Sequence, residues 1–263
     1  MTVATAAPER FDIGRVFSGG FAIVGRRPLT FVILAALFGY LPTAATLWLT
    51  TDWLRPPTPG VVDIGGTLQR LAIVELIAVA FGGFGWVMQG SAAAAALSDF
   101  GDRPLSVGEA LGRAAPRLPL AYVMGVLATF AIVLGGFALV VPGVLLSLVW
   151  SVGGVVATVE NTGFKAFGRS AELTRGNRVQ LFIIFVVWGI AGVVVSFAAR
   201  VVSGAGMVAA GGTADPLWLT LGVQPLASAA VQVFSTATIV AAYVELRGVK
   251  EGLAASSLAS LFD

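Results

Sequence analysis

The stretch VQLFIIFVVWGIAGVVVSFAA, residues 179–199, contains no charged side chain and is flanked by Arg178 and Arg200. A helix needs about 20 consecutive apolar residues to cross the hydrocarbon core of a bilayer. This stretch is therefore predicted to be a transmembrane helix.

The composition of the whole chain supports the same interpretation. Of the 263 residues, 57% are hydrophobic and 11% are charged, and the mean hydropathy is +0.91. These values exceed those of a soluble domain of this length, so we predict an integral membrane protein. The net charge of +2 comes with a few clustered arginines, which indicate a membrane topology signal. We predict no nucleic-acid partner.

The chain contains no cysteine and no histidine. This inventory excludes disulfides, Cys/His zinc sites and histidine-dependent catalytic triads. We predict no metal site, no cofactor and no enzymatic activity of its own.

Six apolar stretches are long enough to cross a membrane as helices, which predicts an all-α, polytopic fold. Only Pro142-Gly143 separates the third from the fourth, so these two are predicted to form a tight antiparallel hairpin. Pro42 and Pro225 are expected to cause kinks that neighbouring helices satisfy. The six predicted spans are Leu29–Leu49, Leu71–Leu97, Leu118–Val141, Val144–Val159, Val179–Ala199 and Pro225–Val244.

The distribution of lysine and arginine predicts the orientation. Thirteen of the 16 cations fall on one side of these spans, and Arg55, Arg70 and Arg200 fall on the other. Because cytoplasmic loops carry the excess of Lys and Arg, both termini are predicted to be cytoplasmic in a bacterial inner membrane.

A repeated unit is visible ahead of three spans. In each copy, small and apolar residues on helical spacing lead through arginine into a membrane helix. These amphipathic helices are expected to lie on the inner membrane surface with the apolar face down. We predict one membrane domain, 1–263, with repeats at 11–97, 105–159 and 163–244 and a cytoplasmic tail at 245–263. The segments are FDIGRVFSGGFAIVGRRPLTF (11–31), LSVGEALGRAAPRLPLAY (105–122) and GFKAFGRSAELTRGNRVQLF (163–182).

Residues 142–178 also carry a family resemblance. A P-G turn, a glutamate closing the next apolar helix, and then A-F-x-R-S-x-x-L-T-R-G-N follow one another there. This order resembles the membrane domain attached to some bacterial glycerophosphoryl diester phosphodiesterases, which also stands alone in uncharacterised inner-membrane proteins. The resemblance implies a helical polytopic protein with no established chemistry. The chain lacks the soluble phosphodiesterase domain, so that activity is not carried over.

The third repeat gathers the candidate binding residues, which are Glu160, Lys165, Arg169, Arg175 and Arg178. One interpretation is that the cluster binds a lipid phosphate or another anion, because arginine offers bidentate donors. The alternative is a topology signal combined with docking of the interfacial helix, in which Glu160 pairs with Lys165 and Arg169.

Glu75 is an acidic residue inside an apolar stretch, and an intramembrane carboxylate suggests proton or cation transport. It is also close enough to Arg70 to pair with it near the outer interface. Gln89, Gln224 and Gln232 are consistent with a polar path, and equally with hydrogen bonds between helices.

The leading functional hypothesis is a lipid-interacting membrane component concerned with envelope or lipid homeostasis, or a subunit of a membrane complex. Its predicted partners are the phospholipid membrane and a membrane protein or a second copy of the chain. The alternative is a small transporter for an anionic or proton-coupled solute. Three parallel repeats argue against it, because secondary transporters commonly use paired inverted repeats.

Overall fold

The computed structural model describes residues 10–50, 63–98, 107–209 and 217–252. Every regular element in these ranges is a helix, which confirms the predicted all-α class. A π-helical segment covers Ala35–Tyr40, and short 3-10 turns cover Ala115–Arg117 and Gly163–Lys165. The α-helices are α1 (Ile13–Arg26), α2 (Pro28–Leu34), α3 (Leu41–Thr50), α4 (Ile64–Leu97), α5 (Val107–Ala114), α6 (Leu118–Ala138), α7 (Val140–Val149), α8 (Gly153–Val159), α9 (Ala166–Thr174), α10 (Arg178–Ala209) and α11 (Leu217–Glu251).

Six helical stretches in the described ranges are long and apolar enough to cross a membrane. Each overlaps one predicted span, so the prediction of six spans is confirmed and the protein is a multi-pass membrane protein. Helix α4 has 34 residues and α11 has 35, so each is about 50 Å long and exceeds the roughly 30 Å hydrocarbon core. The stretches are Pro28–Thr50, Ile64–Leu97, Ala115–Ala138, Val140–Val159, Arg178–Gly204 and Leu221–Glu251.

Large apolar side chains cover the outside of the spans, whereas the buried core lies at one end of the bundle. On α10, Val193 is 71% exposed and Phe197 is 69% exposed, which suits a surface that faces lipid. Residues 92–97 and 155–159 are buried. We call this end of the bundle the basic end, because Arg169 and Arg247 lie there.

The hairpin between the third and fourth spans is present, but the predicted position of its turn is wrong. Leu139 alone joins α6 to α7, with an extended backbone (φ −164°, ψ 137°). Pro142 lies in the first turn of α7, where its missing N–H has no helical partner to lose. The two helices approach so closely that a Cβ on Gly143 would lie only 2.8 Å from the Gly136 nitrogen.

The expected kinks at Pro42 and Pro225 stay a prediction, but the local hydrogen bonding around both prolines is defined. Pro42 is the second residue after the π-helical segment, at whose end the Leu41 N–H bonds to the Ala36 carbonyl. Proline and π-helical turns are both common causes of irregularity in a helix. Pro225 lies inside α11 and cannot donate to the Leu221 carbonyl four residues earlier. The Tyr40 hydroxyl donates to that carbonyl instead, at 3.1 Å.

The three predicted amphipathic segments contain α1, α5 and α9, but α1 does not lie flat on a surface. It runs antiparallel along α11, since the Asp12 N–H bonds to Glu245 while the Phe21 ring lies 5.3 Å from the Phe234 ring. Its apolar stripe therefore packs against protein. A Cβ on Gly20 would lie 2.8 Å from the Thr238 hydroxyl, so glycine permits this contact.

The division into three repeats stays a prediction. Helix α11 continues to Glu251 and so includes the first residues of the predicted tail, whereas residues 253–263 lie outside the described ranges.

Candidate functional site: an ion-pair network at the basic end

The chain reverses direction between α8 and α9. Glu160 caps α8, and Asn161 (φ 49°) and Gly163 (φ 58°) then adopt left-handed backbone conformations. Asparagine and glycine are the residues that tolerate this conformation best. A 3-10 turn leads into α9 and returns the chain so that Arg169 lies beside Glu160.

Glu160 is the centre of the network. Its Oε2 accepts a hydrogen bond from Arg169 Nε at 2.9 Å. Its Oε1 accepts two more from α11, one from Arg247 Nη1 and one from the Tyr243 hydroxyl, each at 2.9 Å. Arg247 Nη1 also donates to the Tyr243 oxygen. Both carboxylate oxygens are thus engaged, and α8, α9 and α11 are joined at one point.

Glu251, at the end of α11, closes the network from the other side. It pairs with Arg169 Nη2, and its Oε2 lies 2.5 Å from Arg247 Nε. The Nε–H does not point at that oxygen, so this second contact is an ion pair without a hydrogen bond. Glu172 adds only a 3.9 Å contact to Arg169 and is 75% exposed. The carboxylates of Glu160 and Glu251 balance the charges of the two guanidinium groups.

Burial makes this balance necessary. The side chains of Arg247 and Glu160 are only 9% and 11% exposed, and a buried charge is tolerated when it is paired and hydrogen-bonded. Burial lowers the pKa of Arg169, but its hydrogen bonds to Glu251 and Glu160 raise that pKa more. The Arg169 guanidinium therefore remains charged.

Helix α9 docks on a break in the fourth span. The helix is interrupted between α7 and α8, and the Gly153 N–H turns to Trp150 O instead of Val149 O. The Ser170 hydroxyl donates to the Val149 carbonyl at 2.8 Å, and the Thr174 hydroxyl lies 3.4 Å from the same oxygen. These hydroxyls satisfy a carbonyl that the break leaves open.

A second ion pair fixes α1 to α11. Arg15 Nη2 lies 2.6 Å from Glu245 Oε1, and Asp12 caps α1 by accepting from the Arg15 N–H. The hydrogen bond to Glu245 raises the pKa of Arg15. Arg117, just before α6, contacts α8 through a hydrogen bond from its Nη1 to the Thr158 carbonyl at 2.7 Å.

The predicted binding cluster is therefore divided. Arg169 and Glu160 belong to the network, but Lys165 and Arg175 are exposed and have no ion-pair partner among the described residues. Arg178 is half-buried, and its Nε has no hydrogen-bond partner there. Lys250 joins this group, since its Nζ lies 3.8 Å from where a Cβ on Gly176 would be.

The predicted transport residues lie apart from this end. Glu75 is half-buried and precedes Leu97 by 22 positions of α4, a distance of about 33 Å along the axis that matches the thickness of a bilayer core. Gln89 faces Gly154 of α8. Gln232 lines a cavity of about 320 Å³ between α3 and α4 that neither Glu75 nor Gln89 lines.

The sequence analysis missed Tyr243 and Glu251, and it counted Arg247 only as a topology charge. Their spacing held a signal, because positions 243, 247 and 251 lie four residues apart and share one face of α11. Where the tyrosine and arginine of such a Y-x-x-x-R-x-x-x-E face are buried, as they are here, the arginine needs a carboxylate partner.

No protein-family model matches the chain, and no solved structure matches it. Among curated proteins, a UPF0259 membrane protein of Sodalis glossinidius (strain morsitans) is 33% identical over 87 residues. The match covers 33% of this chain and 35% of that protein, so the chain spans about a third of the relative's length. This similarity agrees with a membrane protein.

The resemblance to the membrane domain of glycerophosphoryl diester phosphodiesterases is wrong. The similarity found is to a UPF0259 membrane protein, and no relationship to those phosphodiesterases accompanies it. The residues of the short motif that suggested the family hold α9 in place here. Arg169 pairs with Glu160, Ser170 and Thr174 bind Val149, and Gly176 has a φ of 88°.

Proposed function

We propose that this chain is a non-enzymatic, multi-pass protein of a bacterial inner membrane that binds anionic phospholipid headgroups at its basic end. Its biological role would be in envelope or lipid homeostasis, alone or as a subunit of a membrane complex. The basic end faces the cytoplasm in this proposal, as the count of lysine and arginine favours.

One observation carries the proposal, namely the division of the cations into paired and unpaired groups. Arg169 and Arg247 are neutralised by Glu160 and Glu251. Arg175 and Lys250 lie near the turn between α9 and α10, both exposed and without a carboxylate partner in the described ranges. An unpaired cation at a membrane surface attracts anionic lipid by about 1 kcal/mol.

The test uses the intact chain in vesicles of phosphatidylcholine that contain phosphatidylglycerol, and native mass spectrometry counts the lipids retained. Wild type is expected to retain phosphatidylglycerol in preference to phosphatidylcholine. The double variant Arg175→Gln, Lys250→Gln should weaken that preference about 30-fold, from about 1 kcal/mol for each cation. Arg200→Gln on the exposed far part of α10 is the control and should retain the preference.

Equal retention of the two lipids by wild type would overturn the proposal. A preference that survives in the double variant would remove these two residues from the binding site. Specific capture of an acidic membrane protein, with no lipid preference, would replace lipid by a protein partner.

A further inference from the structure

A groove runs between α7 and α10 on the surface of the bundle. Its volume is about 420 Å³, within the roughly 300–1,000 Å³ typical of small-molecule sites. Leu148 is 4% exposed and forms the floor. The other lining residues are Val140, Val141, Val144, Leu145, Arg178, Val179 and Phe182.

The walls of this groove are suited to a hydrocarbon chain. Every lining residue except Arg178 is apolar, and Val141 and Val179 are 66% and 70% exposed. These residues belong to spanning helices, so the groove opens toward lipid. An acyl chain fits such a surface, because it needs no hydrogen bonds from the walls.

Arg178 supplies the polar contact. It is the first residue of α10, and its buried Nε has no hydrogen-bond partner among the described residues. The half-buried Arg178 also has no ion-pair partner among the described residues, and a phosphate at the mouth of the groove would pair with its guanidinium through charge-assisted hydrogen bonds. Arg175 lies three residues earlier, and Lys250 adds a third cation beside Gly176.

We propose that the groove holds an acyl chain of one anionic phospholipid, whose phosphate is bound by Arg178. This inference rests on the proposed lipid-binding function and assigns the lipid a specific binding site. A hydrophobic helix from a second copy would fill the apolar part of the groove, but it would leave the guanidinium without an anion. Charge complementarity therefore favours the lipid.

The experiment compares two variants, each with a control of the same chemistry. Leu145→Trp fills the groove, and Val193→Trp adds the same side chain to an exposed position elsewhere on α10. Arg178→Gln removes the cation of the groove, and Arg200→Gln removes a cation near the other end of α10. Each protein is placed in vesicles of phosphatidylcholine with phosphatidylglycerol, and the lipids retained are counted by native mass spectrometry.

Leu145→Trp should reduce the retained phosphatidylglycerol at least fivefold, and Arg178→Gln should reduce it about fivefold, the equivalent of about 1 kcal/mol for one cation. Both controls should behave as wild type does. Should Leu145→Trp fail to fold, Val144→Phe blocks the same groove with a smaller change of volume.

Unchanged phosphatidylglycerol retention in the folded groove variants, with preference still present in wild type, would overturn the groove while leaving the proposed function intact. Loss of a dimer instead of a lipid in Leu145→Trp would also overturn it, in favour of a second copy. Absence of any anionic preference in wild type would overturn both proposals.

Discussion

Replacing Glu160 by glutamine should weaken the fold more than any nearby exposed charge change. Glutamine keeps the shape of the side chain but removes the negative charge that Arg169 and Arg247 share. Glutamine also replaces one carboxylate oxygen by an NH2 group. This group is a donor, so it cannot accept the hydrogen bond from Arg169 or Arg247 that the oxygen accepted.

The magnitude follows from burial. Glu160 is 11% exposed and Arg247 is 9% exposed, and breaking a buried ion pair costs about 3–5 kcal/mol. Glu251 remains as a partner of both arginines, so the lower value, about 3 kcal/mol, applies. At about 2–4 °C for each kcal/mol in a chain of this size, Tm should fall by roughly 6–12 °C.

The assay is thermal unfolding of the detergent-purified protein, followed by tryptophan fluorescence and by the fraction that stays monodisperse. The matched control is Glu172→Gln, because Glu172 is 75% exposed and lies 3.9 Å from Arg169. A pair so exposed contributes at most about 1 kcal/mol. If both variants unfold at the same temperature, the Glu160 network does not stabilise the fold and the reasoning fails.

Two further predictions concern packing and orientation. Gly90→Ala should destabilise the protein by about 1–3 kcal/mol, because its Cβ would lie 2.0 Å from the Thr158 hydroxyl, whereas Gly85→Ala in the same helix meets nothing within 4 Å and should be tolerated in the same unfolding assay. The chain has no cysteine, so Gly168→Cys should resist an impermeant thiol reagent in intact cells while Gly204→Cys reacts; the reverse pattern would contradict a cytoplasmic basic end.

The spans were predictable because one external length governs them. A bilayer core demands about 20 apolar residues in any membrane helix, and a run such as 179–199 satisfies this without reference to the rest of the fold. The ends were less predictable. Helices α4 and α11 continue beyond the apolar window, because a helix projecting from the membrane needs no further hydrophobic signal.

The position of the hairpin turn shows where a local rule fails. Proline followed by glycine marks a turn in many chains, yet Pro142-Gly143 lies inside α7. The first residues of a helix have free N–H groups, so proline costs nothing there. Gly143 is required by the close approach to Gly136. The start of a helix therefore accounts for the proline and helix packing for the glycine, so neither residue indicates a turn here.

The network could not be found from local sequence, because its partners lie far apart in the chain. Glu160 and Arg247 are 87 residues apart and meet only because α8 and α11 end at the same level of the bundle. The sequence offered Arg169 as a neighbour of Glu160, and that pair does form. It could not show that Arg247 and Glu251 neutralise the same site.

This distinction gives the cations at the basic end two different expected phenotypes. A count of lysine and arginine treats Arg169 and Arg175 as equal, although Arg169 is held by two carboxylates and Arg175 is exposed without one in the described ranges. Loss of Arg169 leaves Glu160 and Glu251 with an uncompensated negative charge, so it acts on stability. Loss of Arg175 leaves no such charge behind, so it acts on what the surface attracts. A charge that the fold neutralises is unavailable to a ligand, so Arg175 is a candidate for binding an anion and Arg169 is not.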